Sequence, residues 1–341
     1  MSIIIPCRNE ATWIERCLAS VDANDYPKTR LEVLVLDGQS DDGTRTTIEK
    51  LQSRYPYVRM MDNPQKIVPV ALNLGIAAAR GEIIMRLDAH YEYPANYISR
   101  LVEELEKSGA DGVGGCLKMS PANHTTMARA IAAAVVHPFG IGNAHYRIGA
   151  SEPCWVDTAL FGCYRRDVFD RIGLYDEEMV RNQDIEFNRR LTGAGGKILL
   201  VPDVVLQGFA RDSLSKLARM YFQYAYFNPL VIRKSGGRVT PRQIVTPVFV
   251  LSLATTMALS PWFWLARWLL AAILLAYSVP LTLTAFATAR RHGVRCGLTM
   301  FVVIPAIHLS HGLGFLKGAL DFFVLRKRVT VAKASAVSIT R

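Results

Sequence analysis

Asp88 and His90, separated only by Ala89, are the side chains whose types and spacing point most directly to chemistry. They follow a short apolar run at residues 82–87 that is typical of a buried strand. A carboxylate and an imidazole two residues apart at a strand end can face one cleft and share a divalent cation. A Mg²⁺ or Mn²⁺ ion held in this way completes its coordination with phosphate oxygens of a substrate. A strand followed by an ordinary polar turn has the same pattern, so the motif alone leaves both interpretations open.

The elements that would position this pair alternate between strands and helices over residues 1–115. The predicted strands are 3–5, 31–36, 57–61 and 82–86, and the predicted helices are 12–22, 46–54, 68–80 and 94–108. This alternation predicts an α/β domain with a mostly parallel sheet covered on both faces. Ligands of such sheets bind beyond the carboxyl ends of the strands. Because the polar segments 7–10, 37–44 and 88–90 each follow a predicted strand, we expect them to lie together.

The pattern in residues 115–210 is less regular. Two glycine-rich segments, 112–115 and 193–196, are predicted to be turns. Helical spacing is found at 181–191 and again at 212–228, where aromatic side chains are frequent. The six cysteines form no Cys-x-x-Cys pair, so we expect reduced thiols that mostly pack in the interior.

Three runs without a charged residue, 244–266, 268–289 and 296–316, are each long enough to cross a bilayer as a helix. Tryptophans cluster at the junction of the first two runs, as in an interfacial aromatic belt, which favours two membrane spans there. The third run contains Pro305 and several glycines, and we expect a re-entrant segment or a third span. We expect no signal peptide before the first strand, so membrane attachment would come from these runs.

The formal net charge is +11, and basic residues are concentrated just before the first apolar run. Between residues 211 and 242 a single acid, Asp212, accompanies seven basic residues: Arg211, Lys216, Arg219, Arg233, Lys234, Arg238 and Arg242. A juxtamembrane segment on the cytoplasmic side, a pyrophosphate contact and an ordinary solvated face all fit this composition. Nucleic-acid binding is disfavoured because the basic block leads into an apolar run and not into a readout helix.

An ordered set of motifs in residues 1 to about 230 resembles the family-2 glycosyltransferases of the GT-A fold. The motifs are Ser2–Glu10 (SIIIPCRNE), Leu34–Thr44 (LVLDGQSDDGT), Ala71–Glu82 (ALNLGIAAARGE), Asp88–His90 (DAH), Val156–Thr158 (VDT), Gly162–Phe169 (GCYRRDVF) and Asn182–Asp184 (NQD). The DAH and NQD variants are most similar to bacterial exopolysaccharide glucosyltransferases of the succinoglycan type. The fold class implied is a Rossmann-like α/β GT-A domain followed by C-terminal transmembrane or interfacial helices.

This resemblance implies a role for each matching residue. A divalent metal, Mn²⁺ or Mg²⁺, would bind Asp88 and His90, and Asp184 would be the general base of an inverting transfer. The residues expected to bind the nucleotide sugar are Pro6, Asn9, Glu10, Asp37, Ser40, Asp42, Arg86, Asp88 and Arg211, with Arg219 as a further candidate for the pyrophosphate. The residues expected at the acceptor are Asp157, Gly162 and Gln183, the last in place of the family's usual Glu.

Structural alternatives stay open for several of these residues. Residues 42–44 have the composition of an ordinary helix N-terminal turn, and Asp184 could N-cap the helix that follows it. Arg211 or Arg219 could be a surface charge only.

The resemblance and the apolar runs together give a domain plan. It consists of a GT-A domain at 1–230 with a nucleotide-binding half at 1–115 and an acceptor half at 116–230, a basic juxtamembrane linker at 231–243, membrane helices at 244–320 and a basic tail at 321–341.

The function implied is transfer of a hexose from a UDP-sugar to a polyprenyl-diphosphate-linked oligosaccharide in exopolysaccharide biosynthesis, with glucose as the expected hexose. The catalytic domain would lie on the cytoplasmic face of a bacterial inner membrane. Its partners would be the donor, the lipid-linked acceptor, membrane lipids and other polysaccharide-assembly proteins, with no nucleic acid. Residues 223–227 replace the Gln-x-x-Arg-Trp motif of processive synthases, which indicates addition of a single sugar.

Three alternatives remain open: another nucleotide-sugar donor, a glycerolipid acceptor, or a non-catalytic scaffold of the same fold. A dinucleotide-dependent oxidoreductase is disfavoured because no Gly-x-Gly-x-x-Gly motif follows the first strand.

Overall fold

The computed structural model describes residues 1–237 and 239–329. They form two compact units, Met1–Lys118 with Gly149–Gly208 and Met119–Ile148 with Phe209–Arg328. Arg238 of the predicted basic segment and residues 330–341 of the predicted basic tail lie outside the described residues.

Eight strands of the described chain form one mixed sheet. In chain order they are β1 (Ser2–Cys7), β2 (Glu32–Asp37), β3 (Val58–Asp62), β4 (Ile83–Arg86), β5 (Gly112–Ser120), β6 (Cys154–Val156), β7 (Leu160–Arg165) and β8 (Ile198–Phe209). Their order across the sheet is β3-β2-β1-β4-β7-β5-β8-β6. Strands β1 to β4 pair in parallel, whereas β7 is antiparallel to both β4 and β5. The parallel half confirms the four predicted strands, and the antiparallel half was not predicted.

Thirteen α-helices lie in the described ranges. They are α1 (Ile14–Asp22), α2 (Thr44–Arg54), α3 (Val68–Ala78), α4 (Tyr97–Ser108), α5 (Thr126–Ala134), α6 (Pro138–Ile141), α7 (His145–Ile148), α8 (Asp167–Ile172), α9 (Gln183–Gly193), α10 (Leu214–Lys234), α11 (Pro241–Leu259), α12 (Trp264–His292) and α13 (Val294–Ala319). The sequence predicted α1 to α4 and α9 to within a few residues, most of them from apolar residues at helical spacing and α3 from its Ala- and Leu-rich composition.

An aromatic cluster fixes the position of α9 in the first unit. Phe187 on α9 is fully buried. Its ring stacks on Tyr175, with ring centroids 4.5 Å apart, and meets the edge of Tyr164 at 5.2 Å. Such aromatic contacts contribute beyond their buried area. The start of α9, which carries Asp184, is therefore anchored from within the core.

The segment predicted as a turn at residues 112–115 is part of strand β5, so that prediction is wrong. Its glycines serve close packing and not chain reversal. A Cβ added to Gly112 would lie 2.6 Å from the ring of Tyr164, and one added to Gly115 would lie 2.4 Å from the carbonyl oxygen of Val204. Glycine inside a strand often marks such a close approach.

Helix α13 is the centre of the second unit, where it packs against α5, α10, α11 and α12. Glycines on α13 allow helix backbones to approach closely. A Cβ added to Gly314 or Gly318 would lie 2.3 Å or 2.1 Å from a carbonyl oxygen of α10. Small residues at helix contacts of this kind are typical of membrane helix packing.

The apolar runs fold into three helices, α11 to α13. By length and composition, the helical segments Trp264–His292 and Val294–Val324 could cross a membrane, whereas α11 contributes a shorter apolar segment. Helix α11 ends at Leu259 and α12 begins at Trp264, so the helices are separated at residues 260–263 and not at Arg267. Arg267 lies within α12. Its guanidinium donates to the carbonyl oxygens of Ser260 and Pro261, which follow the last turn of α11 and would otherwise lack a helical hydrogen-bond donor.

Candidate active site

Three polar segments converge at one edge of the sheet, as the strand pattern predicts. Strand β1 lies between β2 and β4 and runs parallel to both. In this register Cys7 is level with Asp37, and Ile4 is level with Arg86. Parallel strands end at the same edge, so the residues after each strand face a common region.

Asn9 joins the loop after β1 to the loop after β2. Its backbone N–H donates to Ser40 Oγ at 2.8 Å, and its amide group donates to Asp41 Oδ1 at 2.9 Å. In return, the Asp41 N–H donates to Asn9 Oδ1 at 3.1 Å. Asn9 has a φ of 55°, a left-handed conformation that asparagine tolerates better than most residues. The predicted nucleotide residues Asn9 and Ser40 therefore contact each other directly.

Asp42 also connects these two loops. Its Oδ2 accepts from the Ala11 N–H at 3.1 Å, and its Oδ1 accepts from the Thr44 N–H at 3.0 Å. The Thr44 hydroxyl accepts from the Glu10 N–H at 2.8 Å. Asp42 thus organises the start of α2, as the helix-turn alternative for residues 42–44 predicts. A contact of Asp42 with a ribose stays a prediction.

Asp37 is fully buried, and its carboxylate is held by two neighbours. Ser40 donates to it through its N–H at 3.1 Å and its hydroxyl at 2.5 Å. Arg45 donates to Asp37 at 2.6 Å and to Asp62 at 2.7 Å. Arg45 was not predicted, because nothing in its local pattern separates it from a surface helix residue. In this arrangement the buried Asp37 positions Ser40 and Arg45, which are both partly exposed.

Arg86 connects the strand-end carboxylate to the predicted base. Its guanidinium contacts Asp88 Oδ1 at 2.9–3.0 Å and donates to Asp184 Oδ1 at 2.5 Å. The Arg86 residue is only 7% exposed, whereas the side chains of Asp88 and Asp184 are 19% and 33% exposed. One buried cation thus holds two partly exposed carboxylates side by side, although 98 residues separate Arg86 from Asp184.

An aromatic wall lies beside this pair of carboxylates. The Arg86 guanidinium lies 5.8 Å from the centroid of the Phe161 ring, and Phe161 contacts Tyr91 at 5.1 Å. Tyr91 in turn contacts His90 at 4.8 Å, and His90 Nδ1 lies 3.5 Å from Glu10 Oε1. Phe161 and Tyr91 were not predicted as site residues. Their only signal was proximity in sequence to Gly162 and His90.

Asp88 and His90 stay the predicted ligands of a divalent cation, and both side chains are accessible to one. Within the described residues, no group of three or more His, Cys, Asp and Glu side chains could hold a metal ion by themselves. The Asp88 and His90 side chains are 19% and 43% exposed, and both contacts of Asp88 with Arg86 use Oδ1. Mg²⁺ sites commonly combine one or two protein ligands with substrate phosphate oxygens. The donor set therefore suits a metal–diphosphate complex better than a permanently bound ion.

The surroundings of Asp184 favour a role as a base. Burial raises the pKa of Asp184, the positive charge of Arg86 opposes that shift, and the negative charge of Asp88 adds to it, with a net increase. The alternative that Asp184 caps its helix is wrong, because Asn182 is the N-cap and Asp184 is the second residue of α9. Its carboxylate is used instead for the contact with Arg86.

The predicted acceptor residues lie in the first unit in different environments. Asp157 is exposed in the loop between β6 and β7, and Gln183 is almost buried at the start of α9. Gly162 lies within β7, where an added Cβ would be 2.2 Å from the Tyr164 ring. The Tyr164 hydroxyl donates to Asn188 at 2.6 Å. Gly162 is therefore explained by space for Tyr164, and its role at an acceptor stays a prediction.

The remaining predicted donor residues are divided between the units. Pro6 is partly exposed in β1, where it is level with Leu36. Glu10 is 9% exposed beside His90. Arg211 and Arg219 belong to the second unit, so their predicted pyrophosphate contact stays a prediction.

Comparison with known proteins gives a consistent set of relatives. A family model described as glycosyl transferase family 2 matches residues 2–173. The succinoglycan biosynthesis protein ExoA of Rhizobium meliloti is 31% identical over 334 residues, which is 96% of each chain. A dolichyl N-acetyl-alpha-D-glucosaminyl phosphate 3-beta-D-2,3-diacetamido-2,3-dideoxy-beta-D-glucuronosyltransferase of Methanococcus voltae is 28% identical, covering 69% of this chain and 74% of its own.

Solved structures share the fold. The mannosyltransferase PcManGT from Pyrobaculum calidifontis, in complex with GDP-Man and Mn²⁺, has a TM-score of 0.56 at 21% identity and covers 96% of this chain and 87% of its own. The 1–349 segment of S. aureus TarS in complex with UDP has a TM-score of 0.50 at 14% identity, covering 96% and 91%. These neighbours are GT-A glycosyltransferases, so the fold predicted from the sequence motifs is confirmed.

Proposed function

This chain is a glycosyltransferase that belongs to glycosyl transferase family 2. We propose that it transfers a single hexose from a UDP-sugar to a polyprenyl-diphosphate-linked oligosaccharide, with glucose as the proposed sugar. The observation that carries the proposal is that Asp88 and Asp184 both pair with the same buried guanidinium, that of Arg86. This arrangement sets a carboxylate suited to a metal–diphosphate group next to a carboxylate suited to proton abstraction.

In the proposed reaction, an acceptor hydroxyl oxygen attacks the anomeric carbon of the donor sugar. The hydroxyl proton passes to Asp184, while the bond between the anomeric carbon and the diphosphate oxygen breaks. The leaving UDP keeps the electron pair of that bond, and in-line attack inverts the anomeric centre. Arg86 holds the Asp184 carboxylate in place. Its positive charge would also stabilise the negative charge that develops on the leaving diphosphate. Mn²⁺ or Mg²⁺, when bound by Asp88 and His90, would supply Lewis-acid neutralisation of the diphosphate.

The Asp88→Ala variant is expected to bind UDP-sugar more weakly than the parent protein in Mn²⁺ but about equally in EDTA. Without the carboxylate, the metal–diphosphate complex loses a protein ligand, whereas metal-independent contacts remain. Titration calorimetry in each condition measures the difference. An equal loss of affinity in Mn²⁺ and in EDTA would show that Asp88 acts through structure and not through a metal.

The pH dependence of transfer is expected to report Asp184. A base must be unprotonated to accept a proton. The ordinary pKa of an aspartate is about 3.9, and that of Asp184 is raised, so activity should be lost at a higher pH as the solution is acidified. We expect kcat/KM to fall on the acid side with an apparent pKa above that value. Values of kcat/KM at saturating Mn²⁺, measured from about pH 3 to pH 8, test this, and an acid limb at or below the ordinary value would contradict it.

A lipid-linked acceptor is supported by relatives and by the second unit. The names of two relatives refer to succinoglycan biosynthesis and to a dolichyl-phosphate-linked sugar, respectively. Among the described residues of the second unit, two helical segments are long and apolar enough to cross a membrane. Attachment to the inner membrane with the catalytic domain in the cytoplasm would keep a soluble donor and a lipid-bound acceptor at the same site. The basic residues of 211–242 would face anionic headgroups there.

Hydrolysis of a panel of nucleotide sugars by the detergent-solubilised protein, with Mn²⁺ and with EDTA, tests this proposal. The panel contains UDP-glucose, UDP-galactose, a UDP-amino sugar and GDP-mannose. Metal-dependent release of UDP from UDP-glucose is the expected result. Release from a different donor would replace the proposed sugar. If no donor is cleaved with or without a polyprenyl-diphosphate-linked acceptor, and none binds, the catalytic proposal is wrong.

A further inference from the structure

The C-terminal part of the chain has an extreme imbalance of charge. From Ser213 to Arg341 there are sixteen lysine and arginine residues and one acidic residue, Asp321. So few carboxylates leave most of these cations without an acidic side chain from the same segment. Any concave site that gathers several of them is therefore a candidate for an anionic ligand.

Asp321 contacts two lysines and a tyrosine, and not the described arginines of this segment. It is only 2% exposed, in the π-helical turn Leu320–Val324 that follows α13. Its Oδ2 accepts from Lys317 Nζ and from the Tyr226 hydroxyl, each at 2.8 Å, and its Oδ1 lies 2.8 Å from Lys327 Nζ. The single carboxylate of this segment therefore neutralises lysines and leaves the neighbouring arginines uncompensated.

Three of those arginines line one pocket. The pocket has a volume of about 370 Å³ and is lined by Arg233, Phe322, Phe323, Arg326 and Arg328. The Arg233 guanidinium donates to the Phe322 carbonyl oxygen at 2.9 Å, which ties the end of α10 to the turn after α13. In the described part of the chain, no Asp or Glu side chain forms an ion pair with these three arginines.

The pocket also has an apolar side. Phe322 is buried and contacts Tyr226, with ring centroids 5.1 Å apart, so it forms a fixed wall. Phe323, Val324 and Leu325 are 44%, 69% and 54% exposed. A site for a soluble anion has no need of an adjoining exposed apolar surface, whereas a lipid brings a charged headgroup and a hydrocarbon chain together.

We propose that this arginine pocket binds the phosphate headgroup of a membrane lipid. Guanidinium groups match phosphate oxygens in geometry and charge, and the exposed apolar residues suit the attached chain. Basic pockets beside membrane helices are suited to such headgroups. The proposal rests on the membrane association proposed above. Two lipids carry this chemistry, an anionic phospholipid and a polyprenyl diphosphate, and the experiment separates them.

Native mass spectrometry of the full chain in neutral detergent tests the proposal. The probes are phosphatidylglycerol, undecaprenyl diphosphate, zwitterionic phosphatidylcholine and inorganic diphosphate. The pocket variant is Arg326→Asn with Arg328→Gln, since Arg326 has a φ of 48° that asparagine tolerates. The matched control is Arg290→Gln with Arg291→Gln, which removes two arginines from the last turn of α12 that do not line the pocket. Thermal unfolding of each variant checks that it is folded.

The parent protein is expected to bind one or both anionic lipids at least about tenfold more tightly than phosphatidylcholine. The pocket variant should lose that preference by about tenfold, and the control by less than about twofold. The lipid whose affinity falls more identifies the ligand. Equal losses in the two variants, no loss in the pocket variant, or inorganic diphosphate binding as tightly as the lipids would overturn the proposal. Nucleotide-sugar cleavage is measured in the same samples, so a catalytic failure with intact lipid binding counts only against the proposed function.

Discussion

Replacing Asp184 with Asn is expected to lower kcat for sugar transfer by about 10²–10⁴-fold, the usual contribution of a general base. The amide keeps nearly the same volume and can still accept a hydrogen bond from Arg86, but it cannot take the acceptor proton. UDP binding should stay unchanged, because the strand-end loops are not altered. Initial rates with the identified donor and acceptor, together with UDP titrations, measure both quantities.

The control is Asp170→Asn, an exposed carboxylate on α8 in the same unit. It removes the same charge without touching Arg86, so its kcat should lie within about twofold of the parent protein, as for most surface substitutions. If Asp184→Asn retains the parent kcat, Asp184 is not the base. If UDP affinity falls together with kcat, Asp184 acts through the structure of the donor site.

The parallel half of the sheet could be predicted because its strands are buried on both faces. Ile3, Ile4 and Ile5 of β1 are each no more than 1% exposed, and β2 has a similar run. Such strands appear in sequence as continuous apolar segments bounded by polar turns. Since parallel strands end at one edge, the convergence of Asn9, Ser40 and the segment after β4 followed from the same pattern.

The antiparallel half could not be predicted in the same way. Strand β5 begins with glycines that resemble a turn, and they are explained by the Tyr164 ring and by the carbonyl groups of Leu160 and Val204. Those partners lie about 45 to 90 residues away in sequence, and no local pattern indicates the contact. Tertiary packing decides strand formation in such segments more than local preference does.

The same limit applies to the candidate site. The type and position of Asp88 and Asp184 could be predicted, because carboxylates after a strand and at a helix start match a known motif. The contact that joins them through Arg86 spans 98 residues, and the Phe161 wall depends on the pairing of β4 with β7. Sequence motifs therefore predicted candidate site residues, whereas the charge coupling among them became visible only in the folded chain.

Replacing Arg86 with Met is expected to reduce the free energy of unfolding by about 3 kcal/mol, at the low end for a broken buried ion pair. Arg86 is buried between Asp88 and Asp184, so its removal leaves two neighbouring carboxylates without their shared cation. The low end applies because the Asp184 side chain is 33% exposed and water compensates part of the loss. Urea unfolding of the detergent-solubilised protein, followed by circular dichroism, measures the change.

The pH dependence of this loss separates charge from packing. Arg86 lowers the pKa of Asp184, so its removal raises that pKa further above the unfolded value. The folded variant then binds a proton more readily than the unfolded chain, and its stability falls as pH rises through that window. The loss of unfolding free energy caused by Arg86→Met should therefore be smaller at pH 5 than at pH 8. It should be smaller again when the substitution is made together with Asp184→Asn. Arg100→Met removes an arginine that pairs with three carboxylates on the surface, and it should cost less than about 1 kcal/mol. A deficit at Arg86 that is independent of pH and of Asp184 would show that the loss is one of packing alone.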